Sequence, residues 1–275
     1  MHDILVHANS FTKWSHAVEY AAKLATAQAA SLTAVYVYPS PLHMMPAYGA
    51  PALLATIVEY SRKIEKESLA AESAFKEWAK ANGVRQAAWH VAEGFVPEAL
   101  AHIGNWHDLL VLERSDEVPW ESAGDLGGLV VHAGLPCLVV PPGARDPSTF
   151  DCIALAWNGA QEALRAIHSA RPLLARAKRV VLLAGRRRDP LSEIGWRPPF
   201  DILSYLRRHG IKPELREISA DDSDAGEALL ASVAALGADL LVMGAYGRNR
   251  FSEWIFGGAT RHVLGHAGIP VFMRH

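Results

Sequence analysis

A group of glycines and one threonine near the C-terminus have the types and spacing to hold a phosphate. Gly244 closes the apolar run "LLVMG", Gly247 stands three positions on, and Gly257, Gly258, Ala259 and Thr260 come ten to thirteen positions after that. The run before them reads as a buried strand. The segment after them, "ATRHVLGHA", reads as a short helix with Ala259, Val263, Leu264 and Ala267 on its inner stripe. A helix start exposes backbone N–H groups with no intrahelical partner, and the helix dipole makes that end electropositive. Glycine allows close approach to the backbone or a positive φ, and a threonine hydroxyl adds a donor. A Gly-x-x-Gly pair alone often only turns a chain. Its placement between a buried strand and a helix start is what points to phosphate.

Other candidates carry less. "GRRRDP" (185–190) follows an apolar run, so Arg186 to Arg188 can screen phosphate charge; such runs are more often solvated turns. His262 and His266 have the i, i+4 spacing of two metal ligands, but no adjacent Glu and no third ligand accompany them, so a packing or surface role is expected and no metal. No Ser-His-Asp order, G-x-S-x-G elbow or carboxylate pair stands out, and no catalytic residue is assigned. Cys137 and Cys152 each sit in an apolar segment and read as buried reduced thiols, not as a disulfide. A net charge of −2, from 29 acidic and 27 basic residues, excludes a strongly basic nucleic-acid or membrane surface. The start "MHDILVHANS" has no signal-peptide pattern, and no apolar run is long enough to span a bilayer, so a cytoplasmic protein is expected.

The elements that must position these residues are written twice. "DILVHAN" (3–9) matches "DCIALAWN" (151–158), "HDLLVLE" (107–113) matches "ADLLVMG" (238–244), and "HAGLPCLVV" (132–140) matches "HAGIPVFMR" (266–274), in the same order. "PEALAHI" (97–103) has a counterpart in "GEALLAS" (226–232). The repeat predicts domains over 1–143 and 150–275, joined by the Pro- and Gly-rich "VPPGARDPSTF" (140–150). Buried strands are predicted at "ILVHA", "LTAVYVY", "LLVLE" and "CLVV", then at "IALAW", "RVVLLAG", "LLVMG" and "VFMR". Helices are predicted over 15–28, capped by Ser10 or Thr12, over 59–83, with Ile64, Ala71, Phe75, Trp78 and Ala79 on one stripe and Gly83 at its end, and over 200–210. "YPSPLHMMPAYGAPALL" (38–54) reads as a long loop over the first domain. Strands alternating with helices give an α/β fold, a parallel sheet covered on both faces, whose ligands bind beyond the C-terminal strand ends near a point where strand order reverses.

With these residues in view, the chain resembles a tandem universal stress protein, two such domains in one chain. The resemblance covers nearly its whole length. That family's nucleotide signature is Gly, two residues, Gly, nine residues, Gly, then Ser or Thr, and Gly244, Gly247 and Gly257 match its spacing. The resemblance implies two Rossmann-like domains of the adenine-nucleotide alpha-hydrolase type, each a mostly parallel five-stranded sheet with helices on both faces. It implies adenine nucleotide (ATP, ADP or AMP, with Mg²⁺ able to accompany it) at Ala156, Asn158, Gly185, Met243, Gly244, Gly247, Gly257, Gly258, Ala259 and Thr260. Two positions depart from the pattern. Gly258 stands where ATP-binding members have Ser or Thr, and Asn158 where the first strand of a binding domain ends in Asp. Asn keeps an acceptor and adds a donor but loses the charge.

The first half has lost the motif. Glu113 and Asp116 stand where Gly244 and Gly247 stand; aligning Trp120 with Trp254 puts Ala123, Gly124, Asp125 and Leu126 opposite Gly257 to Thr260. Glu113 and Asp125 bring negative charge to where phosphates would lie, so only the C-terminal half is expected to bind. The expected function is a cytoplasmic stress-response protein, not an enzyme, that binds adenine nucleotide there and acts through signalling partners. The alternatives are a nucleotide-free interaction scaffold and a slow nucleotide hydrolase. The terminal strands 136–140 and 270–274 are expected to pair antiparallel within the chain, covering two sheet edges; single-domain family members pair through this strand, so a homodimer is the alternative partner arrangement.

Overall fold

The computed structural model describes residues 1–40, 51–115, 123–185, 201–218, 224–246 and 258–275. Gly247 and Gly257, with Asp116, Trp120, Trp254 and Arg186 to Arg188, lie outside these residues. The chain forms two compact units, Met1–Glu113 and Arg114–His275.

The first unit runs β1 (Asp3–His7), α1 (His16–Gln28), β2 (Ser31–Tyr38), α2 (Pro51–Ala70), α3 (Glu72–Ala81), β3 (Ala87–Glu93), α4 (Val96–Gly104) and β4 (Leu109–Glu113). Its strands stand in the order β3-β2-β1-β4 and are all parallel. Ile4, Leu5 and Val6 of β1 are fully buried, as expected of a strand with neighbours on both edges and helices on its faces. The chain between β1 and α1 is pinned by Trp14, whose ring packs edge-on to Phe75 and Trp89 and tilted on Trp78.

The second unit runs α5 (Ala123–His132), β5 (Cys137–Val140), β6 (Cys152–Trp157), α6 (Gln161–Leu174), β7 (Arg179–Ala184), α7 (Ile202–Arg208), β8 (Glu214–Glu217), α8 (Ala225–Leu236), β9 (Leu240–Gly244), α9 (Gly258–His266) and β10 (Val271–Arg274). Its strand order is β5-β10-β9-β6-β7-β8. All neighbours are parallel except β5 and β10, which run antiparallel with Val139 opposite Val271 and Cys137 opposite Met273. This pairing, and the packing of α5 on α9, draw α5 and β5 into the second unit although the repeat places their sequence in the first half. Both cysteines are free and buried, and burial pushes the Cys137 thiol up to about 12.

The expected α/β class with mostly parallel sheets is observed, with several local corrections. Ser10 does not cap α1. Its hydroxyl accepts from the N–H groups of Thr12 and Lys13, closing a turn, and the residue before the helix is Ser15. The helix expected over 59–83 is two helices that break at Ala71, and the first begins at Pro51, inside the stretch read as loop; proline suits a first helical position because its missing N–H is not needed there. The expected stop is observed: Gly83 takes a φ of +86° just beyond α3. Strands β3 and β8 were not among the predicted runs.

The repeat also duplicates a structural bond. Asp108, just before β4, accepts from the backbone N–H of His2 at 2.6 Å, and Asp239, just before β9, accepts from that of Asp151 at 2.6 Å. Each carboxylate satisfies a strand-start donor, which explains why an aspartate precedes the apolar run in both halves. In the second unit the C-terminal carbonyls of α9 are served by Arg114, whose guanidinium donates to Leu264 O at 3.0 Å and Ala267 O at 2.8 Å. Charged donors are favoured at that end of a helix. Arg114→Ala is expected to lower the stability of the second unit by about 1–2 kcal/mol. A urea midpoint unchanged from wild type would mean that solvent serves those carbonyls equally well.

Candidate functional site

The strand order of the second unit creates its crevice. From β6 the chain moves outward to β7 and β8, then returns across β6 to β9 and β10. Order therefore reverses between β6 and β9, and the C-terminal ends of these strands are where ligands of open α/β sheets sit. Leu155 pairs with Val242, so continuing the register by one pleat sets Trp157 beside Gly244. Three predicted residues, Ala156, Asn158 and Met243, come together with Gly244 at this edge. Gly185 joins them from the neighbouring β7, its N–H bonded to Trp157 O at 2.9 Å. Gly258, Ala259 and Thr260 form the first turn of α9.

Gly244 has a use that its place in a motif does not reveal. Its φ is not positive. A Cβ at this position would stand 2.5 Å from Ala163 N and 2.6 Å from the carbonyl carbon of Glu162. The glycine thus lets the first turn of α6 lie directly against the end of β9. Three residues, 158–160, separate β6 from α6, whereas eight, 8–15, separate β1 from α1. The short connection brings the α6 backbone close to the strand ends and requires a residue without a side chain at 244. Gly258, by contrast, is exposed, and a Cβ there would meet nothing within 4 Å. Gly185 is also open, its nearest neighbour being Trp157 O at 3.9 Å.

The polar side chains expected to meet a ligand have internal roles. Asn158 is exposed, and its Oδ1 accepts from Ala160 N–H at 3.0 Å, holding the turn that leads into α6, with Gly159 at a φ of +83°. Its amide N–H groups remain as donors. Thr260 is buried, and its hydroxyl oxygen accepts from the N–H of Tyr246 at 3.3 Å, linking the chain after β9 to the first turn of α9. Its hydroxyl proton remains for a second bond. Tyr246 has a φ of +49°, and its phenol lies against Gly127 of α5, where any Cβ would overlap the hydroxyl. Burial raises the pKa of the Tyr246 phenol, and the positive charge of Arg261 opposes the rise.

Two groups were not found by sequence reasoning. Arg261 is an exposed cation in the first turn of α9, next to Thr260, and its only sequence signal is position. Glu162, in the first turn of α6, is 6% exposed and lies against Gly244. The histidine pair is intrahelical: the rings of His262 and His266 stack with centroids 4.3 Å apart, and His262 Cβ packs where Gly226 of α8 leaves room. Among the described residues no group of three His, Cys, Asp or Glu is arranged to hold a metal.

The matching edge of the first unit is built differently. Asn9 Nδ2 donates to Glu113 Oε2 at 3.3 Å, so the two residues that correspond to Asn158 and Gly244 bond to each other.

This architecture is that of the universal stress protein folds. Residues 158–275 match the sequence model of the universal stress protein family. The full-length fold is similar to that of a universal stress protein from Archaeoglobus fulgidus DSM 4304, with TM-score 0.64, 15% identity and coverage of 99% of this chain and 95% of that one. It is also similar to a functionally unknown protein from Pseudomonas aeruginosa PAO1, with TM-score 0.58, 17% identity and coverage of 99% and 92%. At these identities the two structures establish the fold. No curated protein matches the chain.

Proposed function

We propose that the second unit binds one adenine nucleotide across the C-terminal ends of β6, β7 and β9, with its phosphates at the start of α9. In this reading the protein is a cytoplasmic stress-response component that acts through partners. The observation that carries the proposal is the first turn of α9: an exposed, unobstructed Gly258, the Thr260 hydroxyl and the Arg261 cation stand together at a helix N-terminus on the ligand edge of the sheet. Mg²⁺ would accompany the phosphates and not a protein cluster. The first unit, with Glu113 bonded to Asn9 at its matching edge, offers a carboxylate there instead of a cradle.

The test is titration calorimetry of the full chain with ATP, ADP and AMP. One site per chain is expected. Gly258→Asp should weaken ATP binding at least about tenfold, since it sets a carboxylate beside the phosphates, while leaving the melting temperature near that of wild type. Two equivalent sites, or an unaffected affinity in the variant, would contradict the proposal.

A second reading has a specific observation behind it. Asn158 Oδ1 and Thr260 Oγ1 each accept a bond from the protein's own backbone. Both bonds suit a nucleotide-free interaction module, and the same titration separates the readings, since that module gives no heat with any of the three nucleotides.

A further inference from the structure

Two arginines and two histidines of the second unit are gathered without a carboxylate. The His168 ring on α6 lies against that of Tyr205 on α7, with centroids 4.6 Å apart, and the Tyr205 ring against that of His209, at 4.7 Å. Arg171 donates from Nε to the His168 carbonyl at 3.1 Å and places Nη1 3.5 Å from His209 Nε2. Arg274, at the end of β10, donates from Nη1 to Ser169 Oγ at 2.6 Å. His168, Arg171 and His209 are exposed, and Arg274 is half-buried. Lys178 and Arg179 of the same unit show the usual alternative: Lys178 Nζ meets Asp151 Oδ1 at 2.6 Å, and Arg179 Nε and Nη2 grip the two oxygens of Glu214 at 2.8 and 2.7 Å. Arg171 and Arg274 are held by neutral groups instead, and among the described residues neither pairs with a carboxylate. Burial lowers the pKa of His168, and the charges of Arg171, His209 and Arg274 lower it further, with no acid opposing them.

We propose that this face of α6 and α7 is a docking surface for an acidic segment of a partner protein, whose carboxylates pair with Arg171 and Arg274. Gathering like charges costs free energy, which a bound anion offsets. The helix dipole accounts for Arg171 and His209, which stand at the C-terminal ends of α6 and α7, but not for Arg274, which a strand brings in. Guanidiniums anchored by neutral oxygens keep further N–H groups for a carboxylate, which they can take bidentately. The balance of charge favours a short acidic segment over nucleic acid. The cluster is local in a chain of 29 acidic and 27 basic residues, so a long polyanion would run beyond it and meet acids. The surface needs no nucleotide, and it gives the partners invoked above a place to bind.

The experiment titrates the full chain with a hexaglutamate peptide and with its hexaglutamine counterpart, in low salt, at pH 7.5 and pH 5.5. Hexaglutamate should bind and hexaglutamine should not. Affinity should rise at pH 5.5, where imidazoles take up protons while glutamate stays ionised. Arg171→Gln and Arg274→Gln should each weaken binding about fivefold. Arg216→Gln, which removes an exposed cation on β8, should leave it unchanged. A wild type that does not bind hexaglutamate, an affinity that does not rise at the lower pH, or a loss in Arg216→Gln equal to that in the other two would overturn the proposal. A preference for a thymidine decamer over the peptide would overturn it too, by making the surface one for nucleic acid. None of these results touches the nucleotide reading, because ATP is titrated separately.

Discussion

Gly244→Ala is expected to destabilise the second unit by about 3 kcal/mol, at the upper end of what one added methyl does in a packed interior. The reason is what the methyl would meet. Overpacking is mild when the neighbour is the end of a flexible side chain, but here the neighbours are Ala163 N at 2.5 Å and the Glu162 carbonyl carbon at 2.6 Å. Relief requires α6 to move, and α6 is anchored by Ala166, Ile167, Ala170 and Leu173, all fully buried. Gly244→Glu, which copies the first half at this position, should prevent the unit from folding. Gly258→Ala is the matched control. It adds the same methyl in open space and should leave stability unchanged or slightly raised, because alanine is the better helix residue. Urea unfolding of the three variants distinguishes packing from ligand contact. Equal midpoints for Gly244→Ala and wild type would return Gly244 to the ligand-contact role suggested by its motif.

Gly244 also marks where sequence reading reaches its limit. The spacing of Gly244 and the helix start at 258 was legible because both are local patterns: a buried run ends, and a new amphipathic stripe begins. What Gly244 faces was not legible, since that depends on a helix some eighty residues earlier in the chain and on the three-residue connection 158–160. The same distinction holds for the strands. β1, β4, β6 and β9 are interior strands with long apolar runs. β8, "ELRE", is exposed at every position, and Leu215 among three charged residues makes no apolar pattern; its pairing with β7 makes it a strand. β3, "AAWHVAE", is half-buried at most positions and interrupts its apolar residues with His90, so neither strand pattern is clean. Glu162 escaped notice for a related reason. A glutamate at a helix start is ordinary in sequence, and only its burial against β9 sets it apart.

The two halves show how one duplicated frame comes to present different edges. The shared parts are those that fold the sheet, such as the strand-start aspartates 108 and 239. The divergent parts lie at the opposite end. In the first unit the β1–α1 connection is longer and carries Trp14 into a cluster with Phe75, Trp78 and Trp89, and Glu113 bonds Asn9. In the second unit the connection is short, α6 presses on Gly244, and the buried acid is Glu162.

The first unit should unfold in mild acid, and His7 should be the main cause. His7 ends β1 and is 4% exposed, and burial lowers its imidazole from 6.5 to about 3. The folded protein therefore holds it neutral, whereas the unfolded chain protonates it near its ordinary value. A group whose folded pKa is depressed contributes its stability above the unfolded pKa, here 6.5, and loses it progressively as pH falls towards about 3. At pH 5 the loss amounts to about 2 kcal/mol relative to pH 7, and it grows by roughly 1.4 kcal/mol for each further pH unit. For a domain of ordinary stability that is enough to bring unfolding within reach above pH 4. His7→Leu removes the titrating group and keeps an apolar side chain at the same strand position. Its urea midpoint, followed from pH 7 to pH 4.5 through the Trp14, Trp78 and Trp89 fluorescence of the first unit, should fall far less steeply than that of wild type. Carboxylates titrating elsewhere act equally on both proteins and cancel in the comparison. Parallel pH profiles for the two would show that His7 is not held neutral by burial, and would move the origin of acid sensitivity to another group.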